Sequence, residues 1–246
     1  MKRIPLILLA LLALTPIPAR AGSASVAVAS NFIGPMNALA TAFGKETGHT
    51  LTISSGSTGK LYAQIGAGAP FDLFFSADDE RPARLEAEGM MVVGSRFPYA
   101  LGRLVMVSAD PKGAVGPESL KGTGKIAVAN PAIAPYGRAA LQVMEKLGVK
   151  GYESRLVTGE NVSQTLHFTL TGAAPVGFVA LSQVKAAEGG VIGSSWIVPD
   201  DLYDPIVQAC GLLKRGGRNK AAIAFLAFVK SDAGRRIVES FGYRAS

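Results

Sequence analysis

Four stretches of the sequence set small hydroxyl or amide residues where a short apolar run gives way to a helix-like run. They are Ala29-Ser30-Asn31, Gly56-Ser57-Thr58-Gly59, Ala134-Pro135-Tyr136-Gly137 and Glu160-Asn161-Val162-Ser163. Such junctions are suited to one kind of chemistry. The first amides of a helix have no partner within it, and the helix dipole favours negative charge there, so a hydroxyl beside them completes an anion site. Taken singly, each junction is an ordinary helix cap. Taken together, they describe an oxyanion site built from dipoles, without counter-charges. The stretch Ser54–Leu61 (SSGSTGKL) has the glycines, hydroxyls and lysine of a nucleotide phosphate loop, but its spacing excludes that reading. A P-loop needs four residues before its Gly-Lys and Ser or Thr after the lysine. Here Gly56 precedes Gly59-Lys60 by two residues, and Leu61 follows.

Other chemistry is poorly supplied. His49 and His167 are the two histidines, and neither has a second histidine or a paired carboxylate at metal-ligand spacing. No G-x-S-x-G nucleophile elbow occurs. Asp72 stands at a strand start, where an aspartate commonly holds nearby backbone amides. Asp78-Asp79-Glu80 reads as the acidic first turn of a helix. Met90-Met91 and Cys210 read as core residues.

The elements that must position the four junctions alternate along the chain. Strand-like runs are expected at Ser25–Ala29, Leu51–Ser54, Asp72–Ser76, Leu104–Ser108, Lys125–Ala129, Arg155–Thr158, Val176–Ala180 and Pro205–Leu213. Helices are expected at Met36–Glu46, Lys60–Ile65, Glu80–Glu88, Gly137–Leu147, Val162–Leu170, Leu181–Ala187, Asn219–Lys230 and Ala233–Ser240. Short apolar strands alternating with helices predict an α/β architecture with mainly parallel sheets. Phe97–Leu104 and Val198–Pro205 read as Pro- and Gly-bearing connections around a central block. The chain is therefore expected to leave one domain, build a second, and return, with a ligand cleft between the two.

The N-terminus reads as a leader. Lys2 and Arg3 precede the apolar run Ile4–Leu14, and Ala19-Arg20-Ala21 is an A-x-A cleavage signature. The run is shorter than the roughly 20 apolar residues that a membrane span needs. Residues 1–21 are thus expected to be a cleaved signal peptide, which gives a secreted or periplasmic mature chain starting at Gly22. The chain carries 25 Lys+Arg against 18 Asp+Glu; without Lys2, Arg3 and Arg20 the balance is 22 to 18, or about +4. That is mildly basic, without the clusters of a nucleic-acid surface. Cys210 is the single cysteine, so stability must come from a core, which 48% hydrophobic residues can supply.

At these residues the sequence resembles the molybdate-binding periplasmic proteins, the ModA family of ABC-importer receptors. The likeness covers essentially the whole mature chain. It runs through VAVASNFIGPM, GSTGKLYAQIGAGAPFDLFFSADD, GSRFPYALGRLV, ANPAIAPYG, GENVSQTL, PVGFVALSQV and SSWIVPDDLYDPI to FVKSDAGRRIVESFGY. The resemblance implies a type II periplasmic-binding fold, two mainly parallel α/β domains joined by a two-strand hinge. Its domains would be residues 22–103 with 205–246, and residues 104–204. It also implies ligand contacts at Ser30, Asn31, Ser57, Thr58, Tyr136 and Val162, the last two mainly through backbone amides. Many members carry a tyrosine donor where this chain has Ala180, so another donor, Asn31 or Tyr136, is expected to replace it. Lys60 is expected to face solvent.

The resulting expectation is a receptor, not an enzyme, that takes molybdate or tungstate without a cofactor and without a metal held as a cation. It would deliver the ion to a membrane ABC permease, act as a monomer and bind no nucleic acid. A receptor for another tetrahedral oxyanion, sulfate above all, stays open, because sulfate too needs only donors. A phosphate receptor would want a carboxylate to accept the ligand's proton, and the four junctions contain none in the positions singled out. A secreted two-domain enzyme is disfavoured by the lack of a base–nucleophile pair, and a transcription regulator by the leader.

Overall fold

A computed structural model describes residues 21–113, 115–187 and 192–244, so the expected leader, apart from Ala21, lies outside the described residues. Strand β1 (Ser23–Ala29) runs through a 3-10 turn (Ser30–Phe32) into α1 (Ile33–Thr47), and β2 (Thr50–Gly56) runs into α2 (Thr58–Gly66). β3 (Leu73–Phe75) precedes α3 (Glu80–Ala87), and then come β4 (Phe97–Gly102) and β5 (Leu104–Ser108). β6 (Ile126–Ala129) leads to α4 (Pro135–Lys146), β7 (Leu156–Gly159) to α5 (Val162–Leu170), and β8 (Val176–Ala180) to α6 (Leu181–Ala186). β9 (Ser194–Ile197), β10 (Ile206–Leu212), α7 (Lys220–Lys230) and α8 (Asp232–Ser240) complete the order.

The strands form two five-stranded sheets, ordered β2-β1-β3-β10-β4 and β7-β6-β8-β5-β9. Each sheet with its helices makes one lobe of a two-domain type II periplasmic-binding fold. The chain crosses to the second sheet at Arg103, between β4 and β5, and returns between β9 and β10. The sheets are more mixed than alternation alone implies. β1 pairs in parallel with β2 and β3, and β6 with β7 and β8, as βαβ units require. β5 and β10, the first strands laid down after each crossing, pair antiparallel with both their neighbours. They arrive from the other lobe rather than over a covering helix, so nothing forces them parallel.

Two strands were not expected. Phe97–Gly102, read as a connection because of Pro98 and Gly102, is β4 at the edge of the first sheet. An edge strand tolerates proline, since one row of its amides needs no ladder partner. β9, four residues long, forms the corresponding edge of the second sheet.

The first lobe's core fixes the turn that follows β1. Phe32 is fully buried, with its ring 4.6 Å from that of Tyr99 and 5.4 Å from that of Tyr243, both edge-on. Edge-on aromatic pairs contribute about 0.5–1.5 kcal/mol each beyond the area they bury. The residue next to Asn31 is thus an anchor. In the second lobe Gly137 lets the start of α4 press against the end of β6. A Cβ there would lie 2.1 Å from the Ala129 carbonyl oxygen, so only glycine fits. Cys210 is fully buried on β10, and burial pushes its thiol well above the usual range, which keeps it a neutral core residue.

Candidate functional site

The four junctions meet. Ala29, Ser30 and Asn31, then Gly56, Ser57 and Thr58, come from the first lobe. Ala134, Pro135 and Tyr136, then Asn161 and Val162, come from the second, and with Ala77 they line one small pocket. All six residues singled out in the sequence are in that wall, and each is 3% exposed or less. The pocket encloses about 190 Å³ of non-atom space, its open mouth included. So small a space suits a compact ion better than an organic molecule.

The wall is made of helix starts. β1, β2, β6 and β7 each end at the pocket and hand over to a helical turn whose first residues line it. Ligands of open α/β sheets collect at such carboxyl ends. No lining residue carries a formal charge. The attraction on offer is that of backbone amides, helix dipoles and hydroxyls.

Which donors are free follows from the hydrogen bonds. The Asn161 side chain caps α5 by accepting from the amides of Ser163 (3.0 Å) and Gln164 (3.1 Å), so the Val162 amide is not consumed by the cap. Thr58 Oγ1 accepts from the Ala77 amide at 3.0 Å. With an acceptor lone pair so engaged, its proton remains to be donated. Ser57 Oγ is buried without any partner; among the described residues only Arg103 Nε shares that condition. A buried unpaired hydroxyl costs about 1–3 kcal/mol, which a bound anion would recover.

The two side chains expected to replace the absent tyrosine are engaged elsewhere. Asn31 Nδ2 donates to Gln208 Oε1 and to the Tyr243 hydroxyl, each at 2.8 Å. The Tyr136 hydroxyl accepts from Gln208 Nε2 at 3.0 Å. Burial, with Tyr243 and Tyr99 close by, pushes that hydroxyl well above the usual tyrosine range, so it stays neutral. The Asn31 side-chain amide is thus committed to Gln208 and Tyr243 and the Tyr136 hydroxyl is tied to Gln208, whereas Ser57 Oγ has no partner. Ala180 is fully buried at the N-cap of α6, where its amide donates to Gln183 Oε1 at 3.1 Å.

The remaining residues considered in the sequence lie apart from the pocket. His49 Nδ1 accepts from the Gly22 amide at 2.8 Å, and His167 is exposed on α5. Asp72 accepts from the Ser25 amide (2.8 Å) and from Asn219 Nδ2 (3.1 Å), as its position at a strand start suggested. Asp78 accepts from Ser76 Oγ (2.9 Å) and the Arg81 amide (3.1 Å) and pairs with the Arg81 guanidinium. Lys60, half-exposed as expected, reaches Glu160 of the other lobe at 3.2 Å. Among the described residues no group of three or more His, Cys, Asp or Glu could hold a metal ion.

Sequence reasoning did not find Gln208, Tyr99, Tyr243 or Ser182, which hold the pocket from behind. Their partners lie up to 212 residues away in the chain, and no local pattern marks them. Asn161 of the fourth junction is a wall residue too, and its N-cap position before α5 is the signal that marks it.

Comparison with known proteins agrees with this geometry. The family described as bacterial extracellular solute-binding protein matches residues 24–244. A molybdate-binding protein ModA from Rhodobacter capsulatus is 48% identical over 233 residues, covering 92% of this chain and 90% of that one. A molybdate-binding protein ModA from Azotobacter vinelandii is 45% identical, covering 92% and 91%. The solved periplasmic molybdate-binding protein of Azotobacter vinelandii superposes with a TM-score of 0.86 at 41% identity, over 91% of this chain and 99% of that one. The chain belongs to the bacterial extracellular solute-binding proteins and, within them, to the ModA family.

Proposed function

We propose that this protein is a periplasmic receptor that captures molybdate, and tungstate with it, and delivers the ion to a membrane ABC permease. It acts as a monomer without a cofactor and catalyses no reaction. The observation that carries the reading is the uncharged pocket at which four helix starts from two lobes meet, with the unpartnered Ser57 hydroxyl in its wall. A fully ionised tetrahedral oxyanion can only accept hydrogen bonds, and this wall offers donors. Ser57 and Thr58 would donate from hydroxyls, and Ser30, Asn31, Tyr136 and Val162 from backbone amides. We take the lobes to be residues 22–103 with 205–246, and 104–204, with residues 1–21 removed on export. The ion would bridge them and favour the closed arrangement.

Thermal unfolding with molybdate, tungstate, sulfate and phosphate in parallel tests this. A ligand at about 100 times its dissociation constant adds roughly 2.7 kcal/mol to the folded state. For a chain of this size that is on the order of 5–10 °C. Shifts are expected with molybdate and tungstate only. An equal shift with sulfate at matched concentration would replace the molybdate reading with that of a sulfate or general oxyanion receptor.

A further inference from the structure

Gly59 is the second residue of α2, between Thr58 of the pocket wall and Lys60. Its backbone is not in the left-handed region, so no local strain calls for glycine. Glycine weakens a helix relative to alanine, so the residue is locally a poor choice. The reason lies across the cleft. The Gly59 amide, unpartnered within its own helix, donates to the carbonyl of Ile133 at 2.9 Å. Ile133 sits in the loop between β6 and α4, so this main-chain bond joins the two lobes.

The two backbones are too close for a side chain at position 59. A Cβ built on Gly59 would lie 2.8 Å from Ile133 Cβ, 2.9 Å from Cγ2 and 3.0 Å from Cα. Carbon atoms prefer about 3.5–4.0 Å. A rotamer change of Ile133 would move only Cγ2, because Cα and Cβ are carried by the backbone. Polar contacts also bridge the lobes nearby. Lys60 meets Glu160 at 3.2 Å, Arg81 Nη2 donates to the Ala132 carbonyl at 3.3 Å, and Ser163 Oγ donates to the Ser30 carbonyl at 3.5 Å. Contacts made through side chains can yield by rotamer changes when the lobes shift. The contact between Gly59 and Ile133 cannot.

We propose that Gly59 is the positioning residue for lobe closure. Its missing side chain lets α2 and the Ile133 loop reach backbone contact, and that contact sets how tightly the pocket shuts on its anion. The effect on anion affinity rests on the function proposed above; the steric effect on closure does not. Any side chain at 59 should leave each lobe folded while holding the pair apart.

The experiment compares the parent protein with Gly59→Ala and with Gly59→Ala/Ile133→Gly. Calorimetry with molybdate should show Gly59→Ala weakened by about 5- to 150-fold, the range of ordinary overpacking. Its ligand-free melting temperature should be unchanged or higher, because alanine favours the helix. The double variant loses Cβ and Cγ2 from the clash and should recover part of the affinity, which a misfolded lobe would not do. Closure is read separately by placing Lys60→Cys and Glu160→Cys in each background and crosslinking with a short bis-maleimide; the natural Cys210 is fully buried and does not compete. Crosslinking should fall in the Gly59→Ala background, with and without molybdate. Parent-like molybdate affinity together with parent-like crosslinking overturns the proposal. A parent that does not respond to molybdate sinks the receptor reading instead, and the ligand-free crosslinking yields still decide the role of Gly59, equal yields counting against it.

Discussion

Gln208 of β10 donates from Nε2 to the hydroxyl of Tyr136 on α4, at 3.0 Å, and so ties the first sheet to a helix of the second lobe. Its Oε1 accepts from Asn31 Nδ2 at 2.8 Å and from the Tyr99 hydroxyl at 3.0 Å. Tyr243 continues the network to Ser182 Oγ at 3.0 Å, and Ser182 Oγ donates to the Asn31 carbonyl at 2.7 Å. Two residues of the pocket wall, Asn31 and Tyr136, are thus held from behind by one buried amide.

Replacing that amide should be costly. Gln208→Leu keeps the bulk but leaves one Asn31 Nδ2 proton without its acceptor and the Tyr136 hydroxyl without its donor, while the Tyr99 hydroxyl keeps the Ser76 carbonyl at 3.0 Å. A stranded buried polar group costs about 1–3 kcal/mol. A loss of about 2 kcal/mol should lower the melting temperature by roughly 4–8 °C in a protein of this length. A variant melting within a degree of the parent would mean that the network relaxes without penalty.

Ser57 and Thr58 should separate binding from stability. Ser57 Oγ has no partner and makes no cap hydrogen bond to α2. Ser57→Ala should therefore leave ligand-free stability unchanged or slightly higher, while removing one hydrogen bond to a charged ligand. Such a bond contributes about 1.5–3 kcal/mol, or roughly 10- to 150-fold in affinity. Thr58→Ala should lose comparable affinity and also about 1 kcal/mol of stability, because the Ala77 amide loses its acceptor. Val162→Ala keeps its amide and should bind like the parent. Calorimetry paired with thermal melts reads all three. Parent-like affinity in both hydroxyl variants would place the site elsewhere.

The contrast between Ser57 and Asn31 marks where the sequence stops being legible. Alternating apolar strands and capped helices located Leu104–Ser108, Val162–Leu170 and Val176–Ala180 to the residue. The four junctions were legible because helix caps are local events of a few residues. The edge strands β4 and β9 were not, since an edge position depends on which strands lie beside it. Likewise, nothing near Asn31 says that its amide is consumed by Gln208 and Tyr243, 177 and 212 residues on. Nor does anything near Ser57 say that packing leaves its hydroxyl alone. Residue types gave the pocket; tertiary contacts decided which side chains in it are free.

The pH dependence follows from the buried tyrosines. Burial raises the hydroxyls of Tyr99, Tyr136 and Tyr243 above the ordinary tyrosine value. A group with a raised folded pKa contributes its full stability below its unfolded value, about 10 for tyrosine, and loses it as pH rises through the folded value. Glu86 is lowered by the Gly94 amide and then by Arg96, and Asp200 chiefly by Arg244, so their contributions hold above about pH 4.3 and fade in acid. Denaturant melts should give a plateau across neutrality with decline at both extremes. Oxyanion affinity should be flat between about pH 6 and 9, since no lining residue titrates there. A tenfold loss centred near pH 6.5 would mean that a histidine holds the anion.

The last expectation concerns salt. Lys60 stands two residues from Thr58 of the pocket wall, but it is half-exposed and paired with the exposed Glu160 at 3.2 Å. Exposed pairs contribute about 0.2–1 kcal/mol, so Lys60→Gln should weaken oxyanion binding by less than roughly fivefold. That effect should shrink in about 1 M salt, where the screening length falls to roughly 3 Å. The loss from Ser57→Ala should persist at the same ionic strength, because a short hydrogen bond inside a closed pocket is not reached by screening ions. Calorimetry on both variants at about 0.05 M and about 1 M salt therefore separates the mouth of the site from its wall. A Lys60→Gln loss above tenfold that survives high salt would mean that the ammonium touches the anion, and a clamp of neutral dipoles alone would have to be given up.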